Sequence, residues 1–460
     1  MNHSTREACS GNGSLYVIFA ILVLICALGN FSQTATNGMM LAVGSQLGFT
    51  TEIGQWLTTA YMLVMGITVP CVAFLSKRFD IRRLTCAAII VFFAGCALDS
   101  IASSFWTLLA GRILQAISTG ITLPLMQSLP AMRFPAGQKA TALGIGGIAM
   151  GFAPNVGPIL GGLAAESVGW RVIFIAMGLL CMVLIVCTLV FAEKETPADR
   201  NAALDVTSLI LSTLGFGSLL FGVSNTSSLG FANPIVWGCA LFGAFFIGIF
   251  LLHQTKVEQP LINLQIMRSA RFSWALATQC ALFASFMGIT LVAPLYWQNA
   301  CGGSATQAGL IFVPATIFAV ILNPLAGFLT DKIGARPVAL SGGALMAVGA
   351  VAMCFVDEHS SLAYVTACQA LRGAGISSLI GPTMSYGLSE LRALTPDGSS
   401  FIALVRQACA SIGTAAMMLI ISVLSKTGQA ALPYQAALGL SALLAVAAFV
   451  CIVIGIKKTD

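Results

Sequence analysis

The sequence predicts an all-α polytopic membrane protein: two six-helix bundles in tandem with two extra helices between them, fourteen transmembrane helices in all. Three observations lead there. Of 460 residues, 58% are hydrophobic and only 8% charged, with a mean hydropathy of +0.93. A soluble domain carries about 25% charged residues, so this chain cannot clothe a water-facing surface and must turn its outside to lipid. The apolar residues also come in stretches of about 20, the length that crosses a hydrocarbon core of about 30 Å. Fourteen such stretches begin near residues 15, 53, 85, 106, 140, 171, 206, 234, 272, 306, 337, 362, 398 and 434. Finally, the chain repeats itself. Pro70, Leu75 and Arg82 recur as Pro324, Leu329 and Arg336 at an offset of 254, and Arg112-Ile-Leu-Gln115-Ala116 is echoed by Gln369-Ala-Leu-Arg372-Gly373.

Each element has its own justification. The first apolar run, Ser14 to Ala35, is a full span without a basic leader, which reads as helix one and not as a secretory signal. Helix two runs into a charged loop holding Lys77, Arg78, Asp80, Arg82 and Arg83. Helix three ends near Asp99. Helix four carries Arg112, the one deep charge of the first half, with Gln115 a turn later. Helix five contains the densest motif of the chain, Ala153-Pro154-Asn155-Val156-Gly157-Pro158-Ile159-Leu160-Gly161-Gly162. In water each Gly would weaken a helix by roughly 1 kcal/mol and each Pro by roughly 3. In lipid, small residues let neighbouring backbones approach, and prolines permit bending. The expected neighbour of this seam is helix eight of a twelve-helix core count. Two linker helices, about Val206–Val223 and Pro234–His253, separate the halves. The expected bodies are therefore residues 1–200, 201–262 and 263–460.

Charge sets the orientation. With an inside N-terminus, the inner loops collect Arg6, Lys77, Arg78, Arg82, Arg83, Arg133, Lys139, Lys194, Arg200, Lys256, Arg268, Arg271, Lys332, Arg336, Arg392, Lys457 and Lys458. The outer loops hold only Arg171 and Lys426, and Arg112, Arg372 and Arg406 fall within spans. Basic residues concentrate on the cytoplasmic side, so both termini are expected in the cytoplasm of a multi-pass protein of the cytoplasmic membrane. Trp56, Trp106, Trp170, Trp237 and Trp297 fall near outer boundaries, where interfacial anchors belong. Topology accounts for the net charge of +6, which is no nucleic-acid signal. The 14 cysteines include no CxxC pair and no Cys/His cluster, so they read as small apolar contacts and not as a metal site. No nucleophile–base pair or phosphate loop points to an enzyme.

These motifs identify a family resemblance. Met150 or Gly151 leading into Gly157-Pro158-x-x-Gly161-Gly162 resembles the antiporter signature of the major facilitator superfamily. Gly327-x-Leu329-x-Asp331-Lys332-x-Gly334-x-Arg336 resembles its loop signature, and Leu108-x-x-x-Arg112-x-x-Gln115 its helix-four signature. Trp56 to Tyr61, Trp170-Arg171-Val-Ile-Phe174, Glu258-Gln-Pro260-Leu and Pro294-Leu-Tyr296-Trp-Gln298 are similar to hallmarks of the fourteen-helix drug:proton antiporters. Phe31-x-Gln33-Thr34-x-x-Asn37 is most like the lincomycin-resistance and multidrug-resistance exporters. Two departures stand out. Lys77 and Asp80 occupy positions where the family usually has Asp and Gly, leaving Asp80 with Arg82 or Arg83 as a substitute charge pair. Ser32 stands where many relatives place a helix-one Asp.

The resemblance implies a monomeric, cofactor-free exporter of drugs, antibiotics or other amphipathic small molecules, driven by proton antiport. A carrier of one endogenous metabolite and a non-transporting sensor are the alternatives, the latter disfavoured because no output domain is seen. Gln33, Thr34, Asn37, Tyr61, Met65, Arg112, Gln115, Met126, Phe286, Tyr296 and Gln298 are candidate cavity residues. Partners for Arg112 on helix one are sought among Gln33, Thr34 and Asn37, because an unpaired arginine at mid-membrane costs about 2.5 to 3.5 kcal/mol. Asp99 and Glu166 are the candidate proton acids, with Arg112 tuning them. Lys77, Asp80, Arg82, Gly327, Asp331, Gly334 and Arg336 are expected to gate the inner face through charge pairs and a helix-terminus contact.

Overall fold

The computed structural model describes residues 3–192, 205–224, 233–257, 260–425 and 431–457. Lys194, Arg200, Glu258, Lys426 and Lys458 lie outside the described residues. The first part of the chain forms α1 (His3–Leu47), α2 (Thr51–Thr68), α3 (Cys71–Arg78), α4 (Ile81–Ser100), α5 (Phe105–Arg133), α6 (Lys139–Gly151), α7 (Ala153–Ser167) and α8 (Arg171–Phe191). Then come α9 (Val206–Ser224) and α10 (Pro234–Gln254). The second part holds α11 (Ala270–Asn299), α12 (Ala305–Leu310), α13 (Val313–Ile333), α14 (Ala335–Ala352), α15 (Leu362–Leu388), α16 (Thr395–Leu424) and α17 (Leu432–Gly455). Local chemistry marks the starts: side chains of Thr50, Asp80, Ser269, Ser304 and Ser361 cap α2, α4, α11, α12 and α15 by accepting otherwise orphaned amides.

All fourteen expected starts fall on helices. Eleven of the described helical segments are long and apolar enough to cross a membrane, and twelve if the bent pair α2–α3, angled by 51°, is one span. The helix from Val206 is a shorter apolar one. The 27-residue α15 falls outside the set because Gln369, Arg372 and its serines lower its hydropathy. Most of its residues are buried among other helices, so it has little lipid-facing surface that must be apolar. Among the described residues, length and composition alone thus give eleven or twelve crossings, which leaves the count of fourteen unconfirmed.

The chain divides into two compact units. Unit 1 comprises Met1–Leu129, Ala153–Gly217 and Phe246–Asn263; unit 2 comprises Pro130–Phe152, Ser218–Phe245 and Leu264–Asp460. Helix five of the sequence reading is therefore shared: α6 packs in unit 2 and α7 in unit 1, with the break at Phe152. The core of unit 1 centres on Ile25, Met39, Phe92, Trp170 and Phe174, and one core of unit 2 on Val292, Tyr296, Met353 and Met417. Trp56, Trp106 and Trp237 are exposed, as anchors should be. Trp170 and Trp297 are instead buried, donating to Gln46 at 2.8 Å and Gln307 at 3.2 Å.

Candidate functional site

Unit 1 encloses a polar network built on α5. The Arg112 guanidinium donates to the Ser32 hydroxyl on α1 and to Gln115 Oε1 at 2.7 Å. Its Cζ lies 4.4 Å from the Tyr61 ring centroid, so the aromatic face of α2 takes part of the charge. Ser32 donates to Gln115 Oε1 at 2.6 Å, and Gln115 Nε2 donates to Asp99 Oδ2 at 2.9 Å. The Tyr61 hydroxyl sits 2.9 Å from the Gly29 carbonyl and 2.6 Å from the Thr119 hydroxyl. Ser32, Asp99, Arg112 and Gln115 are all fully buried. Glycine makes room for the acid: a Cβ on Gly111 would lie 2.6 Å from Asp99 Cγ, and one on Gly95 2.6 Å from the Gly111 carbonyl.

The arrangement corrects the search on helix one, where the partner of Arg112 is Ser32. At 3.6 residues per turn one position is a rotation of about 100°, which is enough to turn the expected residues elsewhere. Thr34 bonds its own helix at Asn30 and Phe31, and Asn37 accepts from Thr58 at 2.8 Å. Asp99 joins the network, whereas Glu166 is exposed at the end of α7.

The glycine–proline seam has a different neighbour from the one expected. Helix eight of a twelve-helix core is α13, yet α7 packs on α1. A Cβ on Gly157 would lie 2.9 Å from both Ala35 N and the Phe31 carbonyl, and one on Gly161 3.1 Å from the Ala35 carbonyl carbon. From the other side, a Cβ on Gly38 would lie 2.9 Å from Pro158 Cα. Gly162 is looser, its Cβ position 3.6 Å from the Gly38 carbonyl. Pro158 sits inside α7, while Pro154 falls in its first turn, where a missing N–H costs little. The helix that meets α13 is α6: Gly147 faces Asn323, and a Cβ on Gly144 would lie 3.3 Å from Gly327 Cα.

The loop signature closes on the start of α6. Asp331 Oδ1 accepts from the Ala140 amide at 3.0 Å, and Oδ2 from the Thr141 amide at 2.7 Å and its hydroxyl at 2.6 Å. These are the orphan donors of a helix N-terminus, met by a carboxylate that also complements the helix dipole. The contact is the expected helix-terminus one; no basic side chain supplies it. A Cβ on Gly327 would lie 2.8 Å from Thr141 Cα, so glycine admits the contact, and Gly334 ends α13 at φ 89°. Lys332 lies over the Phe328 ring at 4.4 Å, and Arg336 is half-buried early in α14. In the first-half loop Asp80 takes the Arg82 backbone amide at 3.3 Å, while the Arg82 side chain donates to the Leu189 carbonyl at 2.6 Å. The substitute charge pair is thus a helix cap. Lys77 closes the short α3.

Met65 packs against Tyr61 and Ala116, and Met126 is buried on α5. Gln33 is nearly buried on α1. In unit 2, Phe286 meets Phe283 edge to face, Tyr296 donates to the Asp357 carbonyl at 2.5 Å, and Gln298 is exposed. Sequence reasoning missed a second arginine centre. Arg372 on α15 is fully buried and donates to the Ser285 carbonyl at 2.7 Å and to the hydroxyls of Ser285 and Ser441 at 2.9 and 3.1 Å. In each unit a buried arginine therefore reaches a serine on the first helix of its half, α1 or α11. The Gln369–Arg372 echo was the available signal.

Long helices joined through glycine seams, with charged networks buried inside, define a polytopic membrane carrier. Comparison with known proteins agrees. The Major Facilitator Superfamily profile matches residues 19–300 and 274–460. A Bacillus subtilis (strain 168) protein named uncharacterized MFS-type transporter YcnB is 31% identical over 443 residues, 95% of this chain and 93% of that one. The lincomycin resistance protein LmrB of Listeria monocytogenes is 29% identical over 409 residues, covering 88% and 86%. The solved proton:xylose symporter XylE shares the fold at a TM-score of 0.64 and 14% identity, over 95% of each chain. The chain belongs to the major facilitator superfamily, a multi-pass membrane transporter and not an enzyme.

Proposed function

We propose that this transporter exports amphipathic small molecules, antibiotics among them, across the cytoplasmic membrane in exchange for protons, with both termini in the cytoplasm. The observation that carries the reading is the buried chain Asp99–Gln115–Arg112–Ser32, which couples an acid to three helices. With Asp99 ionised, the Gln115 amide nitrogen faces it and the amide oxygen serves Arg112. A proton on Asp99 removes the charge that the Gln115 amide nitrogen faces and weakens that charge-assisted hydrogen bond. The chain from Asp99 through Gln115 to Arg112 and Ser32 thereby carries the protonation state of α4 to α1. Residues 1–200 and 263–460 are the two halves of the carrier in this reading, with Gln33 and Asn37 in the first and Phe286 in the second as candidate cargo contacts. The antiporter signature and the similarity to LmrB support export of drug-like cargo.

The test is accumulation of a panel of dyes and antibiotics in cells expressing the protein, with and without a protonophore. The expected result is lowered accumulation that the protonophore restores. Export that ignores the protonophore, or cargo-driven transport in inverted vesicles without a pH change, overturns proton coupling. A panel with no exported compound overturns the drug reading and leaves a dedicated metabolite as cargo.

A further inference from the structure

The cysteines read from the sequence as isolated packing residues are not all isolated. In unit 2, α11 and α16 run side by side in a constant register. Phe272 meets Phe401 with ring centroids 6.5 Å apart, Gly413 lies on Ala284, and Met417 lies on Gly288. Each of these pairs is separated by 129 residues, so the two helices are parallel. Cys280 and Cys409 have the same separation, and their thiols interact directly. They sit one helical turn from the tightest point of the seam, where a Cβ on Gly413 would lie 2.8 Å from Ala284 Cα. A disulfide requires Cα atoms about 4.4–6.8 Å apart, and the close approach at Ala284 and Gly413, one turn away in the same register, favours such a separation. Neither thiol is sealed, both being half-buried free cysteines.

We propose that Cys280 and Cys409 form a redox-active dithiol, which a peroxide converts to a disulfide between α11 and α16. One thiolate attacks a peroxide oxygen, breaking the O–O bond and giving a sulfenic acid and one water. The second thiol then attacks the sulfenic sulfur, forming the S–S bond and releasing the second water. Two thiols lose two electrons in all, and one peroxide becomes two waters. The bond joins helices of the same unit that are already packed, so it forms without unfolding. This property does not depend on what the protein carries.

The test treats the purified full-length protein with hydrogen peroxide, blocks remaining thiols with iodoacetamide, and reads cross-linked peptides by mass spectrometry. The expected result is a peptide pair joining Cys280 to Cys409, lighter by two hydrogens than the sum of its parts. It should be the dominant cross-link, be reversed by dithiothreitol and be absent from Cys409→Ser. Because the primary reading is made on the unaltered chain, it does not depend on any variant folding. Recovery of both cysteines as separate alkylated or over-oxidised peptides, with no joined pair, overturns the proposal. So does a joined pair that forms no faster than cross-links among the other cysteines.

Discussion

Removing the Asp331 carboxylate should release the start of α6. The amides of Ala140 and Thr141 belong to the first turn of that helix, where no intrahelical acceptor exists. Their only acceptors among the described residues are the Asp331 oxygens, at 3.0 and 2.7 Å, with the Thr141 hydroxyl bound to the same carboxylate. Loss of an N-cap acceptor costs about 1 kcal/mol, and a carboxylate at a helix N-terminus adds about 0.3–1 kcal/mol. Asp331→Ala removes two capped amides and the charge, together about 2–3 kcal/mol. Asp331→Asn keeps an acceptor and should lose about 1 kcal/mol. At 1.4 kcal/mol per factor of ten, hydrogen exchange at Ala140 and Thr141 should quicken by roughly 30-fold or more in the alanine variant, and by less than about tenfold in the asparagine variant. Exchange is read by mass spectrometry on peptides spanning residues 138–145, with peptides from α8 as the internal control. Unchanged exchange at these two amides, with Asp331→Ala folded, would refute the cap. An equal effect of the two variants would refute the role given to charge.

The glycine seam predicts a graded series. Gly157→Ala and Gly161→Ala place a methyl against α1 backbone and should cut export severalfold at equal expression, with Gly157→Val worse, since forced overpacking costs about 1–3 kcal/mol. Gly162→Ala has room and should export normally, and equal tolerance at all three positions would contradict the α1–α7 contact. For coupling, Asp99→Asn and Gln115→Leu should each abolish the pH response of inverted vesicles to cargo while downhill cargo movement survives. An intact pH response in Asp99→Asn would exclude that carboxylate. At the linker helices, burial works against the Asp205 carboxylate. Hydrogen bonds from the Ser208 hydroxyl and amide, and His253 at 3.3 Å, outweigh burial and hold the group below the ordinary carboxylate value. Its contribution is therefore full above the ordinary value near 3.8 and lost as pH falls through the lower folded value. Asp205→Asn should lower thermal stability at pH 7 by less than about 1 kcal/mol and match the unaltered protein at strongly acid pH; a deficit that persists there would contradict the assignment.

Much of the fold was legible because it rests on properties read along the chain. Hydropathy set fourteen starts that all fall on helices, and the repeat of Pro70 and Arg82 at Pro324 and Arg336 pointed to duplicated halves. The site was legible in kind: Arg112, Gln115 and Asp99 stood out as polar groups in apolar runs, and they do meet. What was missed was partnership across helices. Ser32 drew notice only as a departure from relatives, and Arg372 only as a charge inside a span and a member of the Gln369–Gly373 echo, because nothing local says which face of α1 meets α5 or which serines α11 and α17 present to α15.

The sequence by itself determined that this is a lipid-embedded helical protein, where its spans begin, and which motifs would concentrate glycine, proline and charge. The cost of exposing polar groups to hydrocarbon acts on each segment independently, so composition alone suffices for those conclusions. Only the tertiary structure decided that the Gly157 seam lies on α1, that Asp331 caps α6, and that Cys280 faces Cys409. Those pairings depend on helix rotation and register. A shift of one residue turns a side chain by about 100°, and close packing of the whole bundle selects among the rotations.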